Sequence, residues 1–148
     1  MRQKYWRGSW PKRIGRAPKS KAAYATRDEV LQRLGFVLYK QYLKSDLWKS
    51  IRASILIHGT KCELCCSVEA TTAHHLSYRY QTMIGEDITH IVAVCDGCHL
   101  KVEFDLEGRK RSFEAAFKYS KKLLIKSGNW SKHIRFGPNA SRDPGSDV

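Results

Sequence analysis

The sequence predicts an α+β domain organised around zinc, and three observations carry that prediction. Apolar residues recur at three- and four-residue spacing in three segments, the stretch TTAHHLSY reads as a strand leading into two adjacent imidazoles, and two Cys-X-X-Cys pairs stand in one short chain. At 148 residues there is room for one domain with a single core and tails, and not for two domains.

The elements follow in order. Residues 1–27 hold nine Lys or Arg and no Asp or Glu, with Tyr5, Trp6 and Trp10 set among Gly8, Pro11, Gly15 and Pro18. This composition reads as a flexible basic arm whose aromatics are free to stack on bases or fold back; a solubilising tail is the plainer alternative. From Asp28 the residues Val30, Leu31, Leu34, Val37, Leu38 and Tyr42 recur with helical period, interrupted by Gly35. A second helix is expected after Ser45 as N-cap, with Leu47, Trp48, Ile51 and Ile55 on one face and Gly59 as its stop. A third runs from Ser112 through Phe113, Ala116, Phe117, Leu123 and Leu124 to Gly128. The domain is therefore assigned to residues 28–128, and residues 129–148, ending in GPNASRDPGSDV, to a largely disordered tail.

The net charge of +13, from 27 Lys and Arg against 14 Asp and Glu, favours a polyanionic partner, because each neutralised phosphate releases condensed counterions. No run approaches the roughly 18 apolar residues of a membrane span, and the basic N-terminus lacks the apolar segment of a secretory signal. The expected location is the cytoplasm, with association to the nucleoid if the partner is DNA; the arginine-bearing start also fits an organelle transit peptide. In a reducing compartment five cysteines spaced in pairs point to metal ligation rather than disulfides.

The pairs are CELC, at Cys62 and Cys65, and CDGC, at Cys95 and Cys98. Two intervening residues let a tight turn aim both thiolates at one ion, and two such turns complete a tetrahedral site for structural zinc. Cys66 does not reproduce the spacing and is left out. The insert of residues 66–94 is longer than the roughly 15 to 20 residues of simple zinc ribbons. It carries His74, His75 and His90, and the second pair runs directly into His99. Imidazole suits both acid–base work near neutral pH and metal ligation.

Taken together, YLKSDLWKSIRASIL, CELC, HHLSY and IVAVCDGCH resemble the HNH nuclease family in its zinc-stapled branch, over roughly residues 39–104. The resemblance implies a ββα-metal core, a β-hairpin and a helix around one catalytic divalent ion (Mg, Mn, Ni or Zn), flanked here by helices and the basic arm. It implies an endonuclease that hydrolyses phosphodiester bonds in DNA. His74 and His99 fall where the family binds the ion and His75 where it has the general base; strand alternation agrees that two adjacent histidines do separate work. His90 stands in place of the family's middle Asn, which holds the base or its loop. Glu103 follows His99 by one helical turn, where relatives often carry another His, and its carboxylate can complete the ion's shell. Arg79 and Lys101 are near enough in sequence to contact phosphate. The alternative is a zinc-stapled nucleic-acid-binding module without cleavage. An RNA substrate and a homodimer stay open.

Overall fold

The computed structural model describes residues 21–133, so the basic arm as far as residue 20 and the tail from residue 134 lie outside the described residues. Between those limits the chain forms α1 (Lys21–Leu34), α2 (Tyr39–Lys44), α3 (Asp46–Ile55), β1 (Thr72–His75), α4 (Tyr80–Met83), β2 (Ile91–Val94), α5 (Asp96–Glu103) and α6 (Phe113–Ser127). Short 3₁₀ turns lie at Ile88–His90 and Trp130–Lys132. The architecture is α+β, with helices around a two-stranded antiparallel sheet. Among the described residues no helix is long and apolar enough to cross a membrane.

Local chemistry sets most of the boundaries. Ser45 Oγ accepts from the Trp48 amide at 3.2 Å and starts α3, and Ser112 Oγ does the same for Ala115 at 3.1 Å at the head of α6. Gly128, at φ +81°, closes α6 in the left-handed conformation that a side chain resists. The helix expected from Asp28 through Tyr42 is two helices. Gly35 takes φ +85°, and the Phe36 amide donates to the Leu31 carbonyl at 2.8 Å, which ends α1 and leaves Val37 and Leu38 exposed.

Two assigned boundaries move. Residues 21–27, placed in the arm by composition, are the first turns of α1; their alanines favour helix, and Tyr24 and Arg27 pack against Tyr78. At the other end Trp130 packs against Phe117, and His133 is buried. The domain therefore runs past residue 128.

In the sheet Thr72 pairs with Val94, Ala73 with Ala93, His74 with Val92 and His75 with Ile91. Directly paired residues share a face, so Thr72, His74, Val92 and Val94 look one way and Ala73, His75, Ile91 and Ala93 the other. The single expected core is accordingly two clusters divided by the sheet. Cys62, Leu64, Leu76, Val92, Val94, Cys98, Val102, Ala116 and Leu124 form one, joined to α5 and α6. Val30, Leu31, Tyr42, Trp48, Ile51, Ala73, Met83 and Ile91 form the other, under α1 to α3. All four residues of β2 are buried, as a strand covered on both faces requires.

Candidate functional site

The four thiols predicted as ligands gather. The sulfurs of Cys62, Cys65, Cys95 and Cys98 lie within 4.8 Å of one another, with Cys65 and Cys95 at 4.0 Å. A zinc with bonds of about 2.3 Å separates its sulfurs by about 3.8 Å, so the cluster fits that ion. Burial acts against ionising Cys65, yet the Ser67 and Val68 amides and the neighbouring thiols outweigh it and bring the thiol down to about 6, whereas burial pushes the Cys95 and Cys98 thiols up. The cluster ties separate parts of the chain together. Glu63, inside the first knuckle, donates its amide to the Ala93 carbonyl at 2.8 Å and accepts the Ala93 amide on Oε2 at 2.7 Å. Thr71 Oγ1 donates to Asp96 at 2.9 Å, fastening the approach to β1 to the first turn of α5.

A second group stands beside it, across β1 and α5. Ligand atoms of His74, His99 and Glu103 also lie within 4.8 Å of one another. Glu103 Oε1 is 3.6 Å from His74 Nδ1 and 3.7 Å from His99 Nε2, a few tenths of an ångström wider than neighbouring ligands of one ion at bonds of about 2.1 Å. Burial is the main reason His74 is pushed down to about 4, with Glu103 pulling the other way, and burial lowers His99 as well. Both imidazoles are thus neutral at pH 7, the state a cation needs. Burial raises Glu103, but the Lys110 ammonium overrides it and keeps the carboxylate ionised. Two neutral imidazoles and one carboxylate form a donor set suited to a divalent ion.

His75 faces the opposite way. It is 4 % exposed and stacks on Trp48 with ring centroids 4.5 Å apart. Its Nδ1 lies 3.1 Å from the Tyr39 hydroxyl, and its buried Nε2 has no hydrogen-bond partner among the described residues. Burial, with a smaller contribution from His74, pushes it down to about 3. A cavity of about 520 Å³ nevertheless reaches both histidines, lined by His74, His75, His99 and Glu103 together with the rings of Tyr24, Tyr39 and Tyr78. The Arg27 guanidinium sits over those three rings, at 4.7, 4.8 and 5.6 Å from their centres.

The remaining expected residues fall elsewhere. His90 ends the 3₁₀ turn before β2, where its carbonyl accepts the Leu76 amide at 2.6 Å; its side chain belongs neither to the ligand group nor to the cavity wall. Arg79, expected on phosphate, is 3 % exposed, with Nε on Ser77 at 3.2 Å and Nη2 3.4 Å from Asp87. It holds the loop from Ser77 to Asp87 closed and offers no surface to a polyanion. Lys101 remains exposed on α5. Tyr39 and Lys110 escaped the sequence reading: one belonged to an apolar-looking helix and the other to the basic run GRKRS, where nothing distinguishes a lysine aimed at Glu103 from its neighbours.

No family model, curated protein or solved structure matches the chain.

Proposed function

We propose that the chain is a divalent-ion-dependent endonuclease of the HNH type that hydrolyses phosphodiester bonds in DNA. The observation that supports this best is the convergence of His74, His99 and Glu103 on one point, on a strand and a helix fastened by the Thr71–Asp96 hydrogen bond beside four clustered thiols. The net charge of +13 supplies the attraction for the substrate's backbone.

His74, His99 and Glu103 would hold the ion, which when bound acts as a Lewis acid toward phosphate oxygens. The protein's own part is proton handling. A buried N–H without a partner is rarer and costlier than an unfilled acceptor, so the favoured tautomer of His75 carries its proton on Nδ1, donated to the Tyr39 oxygen. Nε2, left without a partner, then keeps a free lone pair that would accept the proton of the attacking water, a role worth about 10² to 10⁴ in rate. Burial holds Tyr39 well above the ordinary phenol value, so it stays a phenol throughout.

One observation favours a second reading, a zinc-stapled nucleic-acid-binding module without cleavage. His75 is packed on Trp48 and pushed down to about 3, which makes it a weak base as it stands. A plasmid-nicking assay with Mg²⁺, Mn²⁺, Ni²⁺ or Zn²⁺, with and without chelator, separates the two. Ion-dependent nicking that is lost in His74→Ala and His75→Ala, in protein that keeps its zinc and its circular dichroism, is the expected result. Tight, salt-sensitive DNA binding with no nicking under any ion selects the second reading.

A further inference from the structure

Of the basic residues near the candidate ion site, most are committed elsewhere. Arg79 is buried against Asp87. Arg109 pairs with Asp105 at 3.2 Å and Glu107 at 2.6 Å. Arg111 donates to the Lys101 carbonyl at 3.2 Å and lies over the Tyr119 ring at 4.3 Å. Lys110 is different, because its ammonium meets Glu103 Oε2 while the opposite oxygen, Oε1, faces His74 and His99.

That meeting is built by the backbone. After α5 the chain reverses in a tight hairpin, in which Asp105 Oδ1 accepts the Glu107 and Arg109 amides, each at 2.9 Å. The Asp105 amide donates to the Arg109 carbonyl at 2.9 Å, and the Arg111 amide to the Glu103 carbonyl at 2.8 Å. Phe104 and Lys110 are thereby bridged across the hairpin, and Lys110 is delivered beside the carboxylate one residue before Phe104. The Lys110 side chain is still 54 % exposed, and the residue lines the cavity that contains His74, His75 and His99.

We propose that Lys110 is the phosphate-contacting residue of the site, held on the outer oxygen of Glu103 by this hairpin. An ammonium has three donors, so it can keep the carboxylate and reach a phosphate oxygen at the same time. It also opposes a divalent ion on the inner oxygen, since like charges repel across one carboxylate. An arriving phosphate relieves that repulsion by adding negative charge between the two cations. The proposal rests on the reading of the cavity as a phosphodiester site, but its test does not require cleavage.

The test uses the full-length, zinc-loaded protein and Lys110→Met, Lys110→Arg and Arg109→Met. Mn²⁺ affinity is measured by calorimetry, and inorganic phosphate binding to the Mn²⁺-loaded protein by ³¹P relaxation. Lys110→Met is expected to bind Mn²⁺ tighter by roughly three- to tenfold and phosphate weaker by about tenfold. Lys110→Arg restores most of the phosphate affinity, and Arg109→Met changes neither by more than about twofold. Unchanged phosphate affinity in Lys110→Met overturns the proposal, and unchanged Mn²⁺ affinity overturns the part of it that couples Lys110 to Glu103. Nicking by the unaltered protein is scored separately. If it never cuts, while phosphate binding still depends on Lys110, the nuclease reading fails and Lys110 stands as a phosphate ligand.

Discussion

His74 and His75 are adjacent, carry the same ring and lie on the same strand, yet the two faces of the sheet treat them differently. On one face His74 meets Glu103 and His99, polar groups that share a point with it. On the other His75 meets Trp48, Tyr39, Tyr42 and Tyr78, a wall of rings with one hydroxyl in reach. Burial depresses both, to about 4 and about 3, but only His74 has a carboxylate pulling upward. What an imidazole can do here is decided by what the next helix brings to it: α5 brings groups that could hold an ion, whereas α2 and α3 bring aromatics.

The comparison can be broken first at its foundation. Cys62→Ser with Cys98→Ser removes two buried thiols of the cluster, and structural zinc sites in small modules are worth about 10 to 16 kcal/mol. The expected outcome is loss of bound zinc, read by elemental analysis, and loss of cooperative unfolding. Retention of both would show that the sheet does not depend on the thiols. Next in size, His75→Ala opens a hole beside Trp48 and should cost about 2 to 4 kcal/mol in urea denaturation. His74→Ala should cost less than about 1 kcal/mol and act instead on binding of a second divalent ion. The reverse order would remove the distinction between the faces.

A pH series sharpens the same contrast. An unfolded histidine titrates near 6.5, whereas folded His75 is held down to about 3, chiefly by burial. Between those values the unfolded chain binds the extra proton. The contribution of His75 is therefore complete above about pH 6.5 and is lost as pH falls, at about 1.4 kcal/mol per pH unit. His75→Phe should flatten the acid limb by that slope relative to the unaltered protein, and the difference between the two cancels protonation at the thiols. The smallest effects belong to the caps: Ser45→Ala beneath the His75 face and Ser112→Ala behind the His74 face should each cost about 1 kcal/mol of stability.

What the sequence made legible is what depends on short range. Two-residue spacing brought out the four thiols, a serine before an apolar stripe located α3 and α6, and strand alternation anticipated the split between His74 and His75. Contacts between distant segments were not legible. The hairpin that carries Lys110 makes a single bridge and has no period to detect. Arg79 looks like any surface arginine until Asp87 folds over it. His133 sat in a stretch assigned to the tail, but its two ring nitrogens reach the Thr89 carbonyl at 2.7 Å and Glu63 at 2.9 Å. The Glu in CELC was the available clue, a carboxylate inside a Cys-X-X-Cys turn that needs a partner of its own.

Cys98 and His99 are consecutive residues in the first turns of α5, so that short helix contributes a ligand atom to each of the two groups. If both groups hold ions as proposed, the two would not load independently, because an ion in the sulfur tetrad would fix the turn that presents the neighbouring imidazole. A chelator added gradually to such a doubly loaded protein should strip the ion on His74, His99 and Glu103 while the thiolate-bound one stays, and no population should retain the former after the latter has gone.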